Sequence, residues 1–400
     1  MSRITVIGLD GGPLGAESEG LLDEAELVVG GSRHIEAIGV APERACVLKG
    51  DLSETLGRIG EAGGPVVVLA SGDPGFFSVV RLLAERFGGE SLRILPGVSS
   101  VALAFARAGL SWDDAVVVSA HGRDPRRAVN VCRSQPKVAV LTSPVFGPAE
   151  LALELQGWER GLFVAERLGW PEERVVRGCA AEISALEWRD PSVVIVVDEA
   201  RAVGGRGWIS GSFHSPRRWA LPVEDFEHRS AMISKPETRA LVLARLGPGP
   251  GDLVWDVGAG SGSVAIECAR LGAAAVAVER DPESCARIRE NASRHSVSVK
   301  IVEGEAPDAL HGLPEPDAVF IGGSGGGFED IVKLCAVRAR RSVVVSLISL
   351  ERVVPAGETL ADCGLDVETT LLQASRVRGV GELHRLAAET PVFVVWGRKQ

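Results

Sequence analysis

The chain has 400 residues, 46% of them hydrophobic and 24% charged, and a formal net charge of −10 at pH 7. This length exceeds one ordinary core, so two domains are expected, and the acidic balance disfavours binding to a nucleic-acid backbone. No apolar run reaches the roughly 18 residues that cross a bilayer, and no signal peptide precedes the first strand, which predicts a cytoplasmic protein without membrane contact.

The first half of the chain alternates strands with helices, which is typical of an α/β fold. Short apolar runs predict strands at residues 3–9, 65–70, 92–95, 115–119, 137–141, 162–166 and 193–197. Longer amphipathic stretches predict helices at residues 74–87, 98–108 and 148–155.

Four turn motifs follow strands of this half. They are Gly8-Leu-Asp-Gly-Gly-Pro13, Ala70-Ser-Gly-Asp-Pro-Gly-Phe-Phe-Ser78, Pro96-Gly-Val-Ser-Ser100 and Ser119-Ala-His-Gly-Arg123. Each by itself is typical of an ordinary turn. In this order and at these separations they resemble the tetrapyrrole methylases, the class III S-adenosylmethionine methyltransferases, over about residues 1–200. That resemblance implies two α/β lobes with the cofactor between them.

A change of character marks the predicted junction between two domains. The segment Gly204-Gly-Arg-Gly-Trp-Ile-Ser-Gly211 is rich in glycine and has no hydrophobic period. We therefore predict a first domain at residues 1–203, a linker at 204–220 and a second domain at 221–400. Soon after the linker, Ser234 and Glu237 around Pro236 predict a capping box at the start of a helix.

The second domain contains a strand, a glycine turn and the start of a helix in the stretch Asp252-Leu-Val-Trp-Asp-Val-Gly-Ala-Gly-Ser-Gly-Ser263. Gly258, Gly260 and Gly262 allow backbone angles and a ligand approach that side chains would block. Glu279 ends a second strand, 275–279, about twenty residues on, where a βαβ unit offers a carboxylate to a ribose. Strands at 299–302 and 317–323 follow.

This succession resembles the class I, Rossmann-like S-adenosylmethionine methyltransferases. From about residue 221 onward it is similar to the corrinoid C15-methylating and decarboxylating enzymes. A C5-methylating type of tetrapyrrole methylase ahead of such a domain implies a bifunctional methyltransferase of cobalamin synthesis, with two S-adenosylmethionine sites per chain. The implied substrate is a tetrapyrrole, a precorrin, which is methylated at C5 and C15 and loses the ring C acetate carboxyl group.

Two alternatives stay open at this point. The same chemistry can act on the cobalt-bound macrocycles of the anaerobic route, since the metal would be held by the substrate. A second alternative is a two-domain oxidoreductase that uses the glycine turns to bind NAD.

The two resemblances also imply cofactor-binding residues. In the first domain they are Leu9, Asp10, Gly72, Asp73, Ser99, Ser100 and Thr142. In the second they are Ser234, Gly258, Ala259, Gly260, Ser261, Gly262, Glu279 and Ala306.

The candidates for catalysis and for substrate binding are fewer than those for cofactor binding. Ser324, in the glycine-rich turn after the fourth strand of the second domain, is the first candidate for the C15 activity. His121 is a candidate proton shuttle. Arg123, with Arg126 and Arg127, and Arg229 are candidates for the substrate carboxylates. Methyl transfer needs no metal, and the seven cysteines form no Cys-x-x-Cys pair, so no metal site is expected. The resemblance further implies a homo-oligomer.

Overall fold

The computed structural model describes residues 4–48, 52–202, 218–229, 233–322, 326–381 and 383–399. By their contacts these residues divide into two compact units. The first unit contains the chain up to Arg123, Ala139–Leu153 and Gly161–Val197, and the second contains Asp124–Val138, Glu154–Arg160 and the chain from Asp198 on. The predicted linker lies mostly outside the described residues, and the domain boundaries stay a prediction.

The first lobe of the first unit is a five-stranded sheet in which all strand pairings are parallel, with strand order β3-β2-β4-β1-β5. Buried apolar clusters cover both of its faces. Its elements in chain order are β1 Ile4–Leu9, α1 Ala16–Glu24, β2 Leu27–Gly30, α2 Ser32–Ile38, β3 Ala45–Val47, α3 Leu52–Glu61, β4 Val66–Ser71, α4 Val80–Phe87 and β5 Leu92–Leu95.

The second lobe contains a five-stranded sheet of order β6-β7-β10-β8-β9, in which β8 runs antiparallel to both β9 and β10. The elements of this stretch of chain are α5 Ser100–Ala108, β6 Val116–Ser119, α6 Arg126–Ser134, β7 Lys137–Leu141, α7 Pro148–Glu154, β8 Gly161–Glu166, β9 Arg174–Cys179, α8 Ala180–Ser184 and β10 Ser192–Val197.

The second unit is built on a seven-stranded sheet of order β13-β12-β11-β14-β15-β19-β16, parallel except at β19. Strand order reverses beside β11, the place where open α/β sheets bind ligands. The elements are α9 Pro236–Leu246, β11 Leu253–Val257, α10 Ser263–Arg270, β12 Ala274–Glu279, α11 Pro282–Arg294, β13 Lys300–Glu303, β14 Ala318–Ile321, α12 Phe328–Arg338, β15 Ser342–Leu347, α13 Val353–Asp362, β16 Asp366–Leu372, the hairpin β17 Ser375–Val380 and β18 Leu383–Ala388, and β19 Val392–Arg398. The predicted α/β fold class is confirmed.

Two segments from the first half of the sequence are part of the second unit. Arg126, on α6, donates two hydrogen bonds to the Asp317 carboxylate, at 2.8 and 2.7 Å. Buried Asn130 donates to the carbonyl oxygen of Gly251 at 3.0 Å. Trp158 lies within the same apolar cluster as Trp255. The seven-stranded sheet is therefore covered in part by residues that precede the predicted linker.

Two local predictions are wrong. Helix α9 begins at Pro236 and its N-cap is Lys235, which makes no side-chain capping bond, so Ser234 and Glu237 do not form the predicted capping box. The residue before a proline avoids the helical region, which places the helix start one residue later. Helix α4 begins at Val80 instead of residue 74, because Asp73 and Gly75 form a turn in which the Asp73 Oδ1 accepts the Gly75 N–H at 2.8 Å.

In the described part of the chain, no helix combines the length and apolarity that a membrane crossing requires.

Candidate functional site

The turns after β1, β4 and β5 meet at one edge of the first sheet. The Gly72 N–H donates to the Leu9 carbonyl oxygen at 2.7 Å, and the Gly97 N–H donates to that of Gly72 at 3.3 Å. The Asp10 carboxylate links two of the turns, accepting from the Gly12 N–H at 3.0 Å and from the Val98 N–H at 3.2 Å. We call these three turns the first loop set.

Most first-domain candidates belong to this loop set. Ser99 caps α5 by accepting the Ala102 N–H at 3.1 Å, and Ser100 is the first residue of that helix. The N-terminus of α5, with its partial positive charge, is therefore joined to the turns that carry Leu9, Asp10, Gly72 and Asp73. The predicted set is brought together, although its role in binding stays a prediction.

Thr142 forms its hydrogen bonds with a strand of the second sheet and not with the first loop set. It is buried at the end of β7, and its hydroxyl lies 2.7 Å from both the carbonyl oxygen and the hydroxyl of Ser192 on β10. The structure thus gives this hydroxyl a role in joining two strands of the second sheet.

The predicted arginine cluster is divided between different partners. Arg123 is exposed, and its guanidinium carbon lies 6.0 Å from the centroid of the Phe77 ring, in the turn that follows Gly72 and Asp73. Arg126 is instead held by Asp317, and Arg127 is exposed. His121 is exposed after β6, with its N–H donating to the Ser119 hydroxyl at 3.3 Å.

In the second unit, the glycine turn after β11 has the predicted backbone. Gly258, Gly260 and Gly262 have φ of 72°, 57° and 73°, in the left-handed region that favours glycine. A Cβ at Gly262 would lie 2.8 Å from Ile288, so this glycine also permits α10 to pack against α11. The carbonyl oxygen of the neighbouring Ser261 accepts from the Asn291 side chain at 3.0 Å.

Glu279 lies directly beside this turn. Its Oε2 accepts the Gly260 N–H at 2.8 Å, and its Oε1 accepts the main-chain N–H groups of Arg280 and Asp281 at 2.9 and 3.0 Å. An ionised carboxylate has about four acceptor positions, so one remains for a further donor such as a ribose hydroxyl. The turn also approaches the end of β14, where the Gly322 N–H donates to the Val257 carbonyl oxygen at 3.0 Å.

The other second-domain candidates differ in their burial and in their hydrogen bonds. Ala306, in the turn after β13, is partly buried against the apolar core of the sheet. The carbonyl oxygen of Ser234 accepts from Arg239 at 2.6 Å, which fixes the main chain before α9. Arg229 is exposed. Ser324 lies outside the described residues.

Asp256 is a residue of this site that the sequence analysis did not single out, although a carboxylate in an apolar strand is itself a signal. It is buried in β11; Oδ2 accepts the Ala265 N–H at 2.9 Å, and Oδ1 has no hydrogen-bond partner among the described residues. Burial raises the pKa of Asp256 to about 7, the Ala265 N–H opposes this rise, and the charge of Glu279 adds to it.

We expect Asp256→Asn to remove a pH dependence of stability. In the unfolded chain an aspartate has a pKa of about 3.9, so between pH 4 and 7 the folded state keeps a proton that the unfolded state has lost. The stability that comes from this proton is complete below pH 4 and is lost as the pH rises through 7. Between pH 5 and 8 the wild type should lose about 2–3 kcal/mol relative to the variant. Urea unfolding at several pH values measures this, and parallel stability curves would contradict it.

Among the described residues, no group of three or more histidine, cysteine, aspartate or glutamate side chains is arranged to hold a metal ion.

Comparisons with known proteins cover both halves. A family model described as tetrapyrrole (corrin/porphyrin) methylases matches residues 22–184, and one described as a precorrin methyltransferase domain matches residues 224–399. A precorrin-6Y C(5,15)-methyltransferase [decarboxylating] from a Sinorhizobium species is 41% identical over 353 residues, which cover 85% of this chain and 82% of that protein.

Proteins named for a single activity are also similar. A probable cobalt-precorrin-6B C(15)-methyltransferase (decarboxylating) of Methanothermobacter thermautotrophicus is 32% identical over 40% of this chain and 85% of its own length. A cobalt-precorrin-7 C(5)-methyltransferase of Salmonella typhimurium is 32% identical over 43% of this chain and 88% of its own length. With both family models matched in order and a relative aligned along most of its length, the chain belongs to the family of the precorrin-6Y C5,15-methyltransferases (decarboxylating).

Proposed function

We propose that the chain methylates a precorrin at C5 and at C15 and releases the ring C acetate carboxyl group as carbon dioxide. The observation that carries the proposal is the presence of two unlike strand-end sites in one chain. One is the first loop set, and the other is the glycine turn with Glu279. The family to which the chain belongs is named for both methylations and for the decarboxylation.

Both sites have features that fit S-adenosylmethionine, which supplies an electrophilic methyl group on a sulfonium. In the second site, the Gly258, Gly260 and Gly262 backbone permits close approach of an adenosine, and Glu279 keeps one acceptor position for its ribose. In the first site, a Cβ at Gly8 would lie 2.0 Å from the Gly72 oxygen, a measure of how closely the turns pack beside the α5 N-terminus. We therefore propose two cofactor sites per chain.

These residues position the substrate carbon and the methyl donor and exclude water from the site. The reduced macrocycle supplies its own enamine-like carbon nucleophile, so methyl transfer needs a carbon held in line with the methyl group, in a site closed to solvent. For the second reaction, a protonated conjugated imine of the substrate accepts the electron pair left when carbon dioxide departs. That electron-rich system then takes the methyl group at C15. Ser324 stays the first candidate for this activity, and His121 and Arg123 stay candidates for the first.

Product analysis tests the function. Purified chain, incubated with the precorrin and isotopically labelled methyl donor, should add two methyl groups and release one carbon dioxide per macrocycle, counted by mass spectrometry. A time course should show carbon dioxide release no later than the second methyl transfer. Methylation at both carbons before any carbon dioxide release would contradict the proposed order. A product without added methyl groups would contradict the function itself.

The number and kind of cofactor sites can be measured by calorimetry. With S-adenosylhomocysteine we expect two equivalents per chain, and with NAD no tight binding, because the first loop set and the glycine turn are two separate sites. One equivalent would refute the proposal of two sites per chain. Tight binding of NAD, with no binding of S-adenosylhomocysteine, would favour the oxidoreductase alternative.

The cobalt-bound macrocycle is a separate alternative for the substrate, which the relatives named for cobalt-precorrins keep open. Comparing rates with metal-free and cobalt-bound macrocycles decides it.

We also propose that the chain is a homo-oligomer that acts in the cytoplasm. Support for the oligomer comes from the hairpin of β17 and β18, where Val377 and Leu386 are paired across the strands and are 67% and 70% exposed. Apolar pairs on an exposed hairpin are typical of surfaces that another chain covers. Light scattering of the full chain tests the oligomer.

A further inference from the structure

Arg33, on α2 of the first lobe, is a half-buried guanidinium whose hydrogen-bond partners are all neutral. Its Nη2 donates to the Ser71 hydroxyl at 2.7 Å, and its Nε donates to His34 Nε2 at 3.3 Å. Within the described ranges, no carboxylate lies at ion-pair distance from it. A cation removed from water without a charged hydrogen-bond partner costs free energy, so an anion bound at hydrogen-bond distance would stabilise this guanidinium.

His34 orients this guanidinium as a neutral hydrogen-bond acceptor. The imidazole is 7% exposed, and its Nε2 also lies 3.1 Å from the Ser71 hydroxyl. Burial and the nearby charge of Arg33 lower the pKa of His34 to about 4. The ring is therefore neutral near pH 7, and Nε2 is the acceptor for both neighbours.

Other charged groups act on Arg33 without forming a hydrogen bond or an ion pair with it. Burial lowers its pKa, Asp190 raises it, and Arg167 lowers it again. Arg167 has its own carboxylate neighbour, Glu172, at 3.8 Å. Two guanidinium groups thus act on each other, and Asp190 is the carboxylate whose charge reaches Arg33.

These groups lie next to the first loop set. Ser71 is the last residue of β4 and is followed by Gly72. On the side of Arg167, the turn at Gly169 touches the turn after β1, since a Cβ at Gly11 would lie 2.3 Å from the Gly169 carbonyl oxygen. Arg33 therefore lies beside the turn after β4, and the turn that follows Arg167 contacts the turn after β1.

We propose that Arg33, oriented by Ser71 and His34, binds an acetate or propionate carboxylate of the tetrapyrrole during C5 methylation. The guanidinium offers a planar fork that matches a carboxylate with two parallel hydrogen bonds. Arg167 adds a second positive charge to the same region. This inference rests on the proposed C5 methylation, and it assigns a substrate contact to Arg33, which lies outside the sequence motifs.

The test compares Arg33→Met and Arg33→Lys with the wild type in the full chain. For Arg33→Met we expect the KM for the precorrin in C5 methylation to rise roughly 10- to 100-fold, the loss of a charged hydrogen bond, with kcat changed less. Arg33→Lys should recover part of the loss, because lysine keeps the charge without the fork. Affinity of the first site for S-adenosylhomocysteine and the C15 reaction should not change. Arg81→Met, an exposed arginine on α4, is the matched control and should behave as the wild type.

The possible outcomes distinguish failure of the Arg33 contact from failure of the proposed C5 methylation. An unchanged KM in Arg33→Met, or a fall in kcat alone that lysine does not recover, would overturn the substrate contact. Equal loss of S-adenosylhomocysteine binding at the first site would assign Arg33 a structural role and overturn it as well. If the wild type itself adds no methyl at C5, the proposed function fails instead, whatever the variants do.

Discussion

Replacing Glu267 by glutamine is expected to lower the free energy of unfolding of the second unit by about 3–5 kcal/mol. Glu267, 1% exposed, forms an ion pair with Arg239, which is fully buried, at 2.9 Å. Its two oxygens also accept the main-chain N–H groups of Ala220 and Leu221 at 2.6 and 2.9 Å. Glutamine keeps the shape but leaves the Arg239 charge buried without its counter-charge, and it turns an amide N–H₂ toward groups that donate.

Denaturant unfolding of the full chain measures this effect, with C15 activity followed in parallel. The matched control is Glu237→Gln, which removes a carboxylate from a partly exposed pair with Arg376. Such pairs contribute about 0–1 kcal/mol, so the control should unfold almost as the wild type does. Equal effects of the two variants would show that the buried network does not hold residues 220–221 against α10.

Replacing Gly8 by alanine is expected to reduce C5 methylation by about 100-fold or more while C15 methylation continues. The new Cβ would lie 2.0 Å from the Gly72 carbonyl oxygen and 2.4 Å from the Gly97 nitrogen. Both are backbone atoms, so relief requires the turns themselves to separate. The Gly97 N–H that donates to the Gly72 oxygen would lose its geometry, and the cofactor contacts predicted for Gly72 and Asp73 would move with it.

Mass spectrometry of the product gives the readout, since the variant should accumulate a macrocycle with one added methyl group. Gly20→Ala is the control, because a Cβ there meets nothing within 4 Å and the residue lies inside α1. Alanine in a helix interior stabilises by about 0.5–1 kcal/mol relative to glycine. A Gly8→Ala chain that makes the doubly methylated product at the wild-type rate would refute the importance of these close contacts.

Local sequence patterns predicted the parts of the sites that depend on the backbone. The positive φ angles of Gly258, Gly260 and Gly262 follow from their spacing after an apolar strand, and β5 and β7 have the predicted bounds. These features are encoded within a few residues, because glycine and alternating or continuous apolar runs act on neighbouring dihedral angles. The capping box at Ser234 and the start of α4 were exceptions, since Pro236 displaced one helix start and the turn at Asp73 precedes the other.

The partners of charged and polar side chains were decided by the tertiary structure. Arg126, predicted to meet the substrate, pairs instead with Asp317, 191 residues later in the chain. Thr142, predicted at a cofactor site, uses its hydroxyl to bond Ser192. Ionic and hydrogen-bonding partners depend on which surfaces the fold brings together, and sequence spacing carries no information on that.

The sequence by itself therefore determined the fold class, the two kinds of strand-end turn and, through its family resemblance, the chemistry. Only the tertiary structure placed α6 and Trp158 of the first half in the second unit, and it left Arg33 beside Ser71 without a carboxylate at ion-pair distance in the described part of the chain. The reason is physical: backbone conformation follows from local sterics, whereas burial and the pairing of charge are set by contacts between residues far apart in the chain.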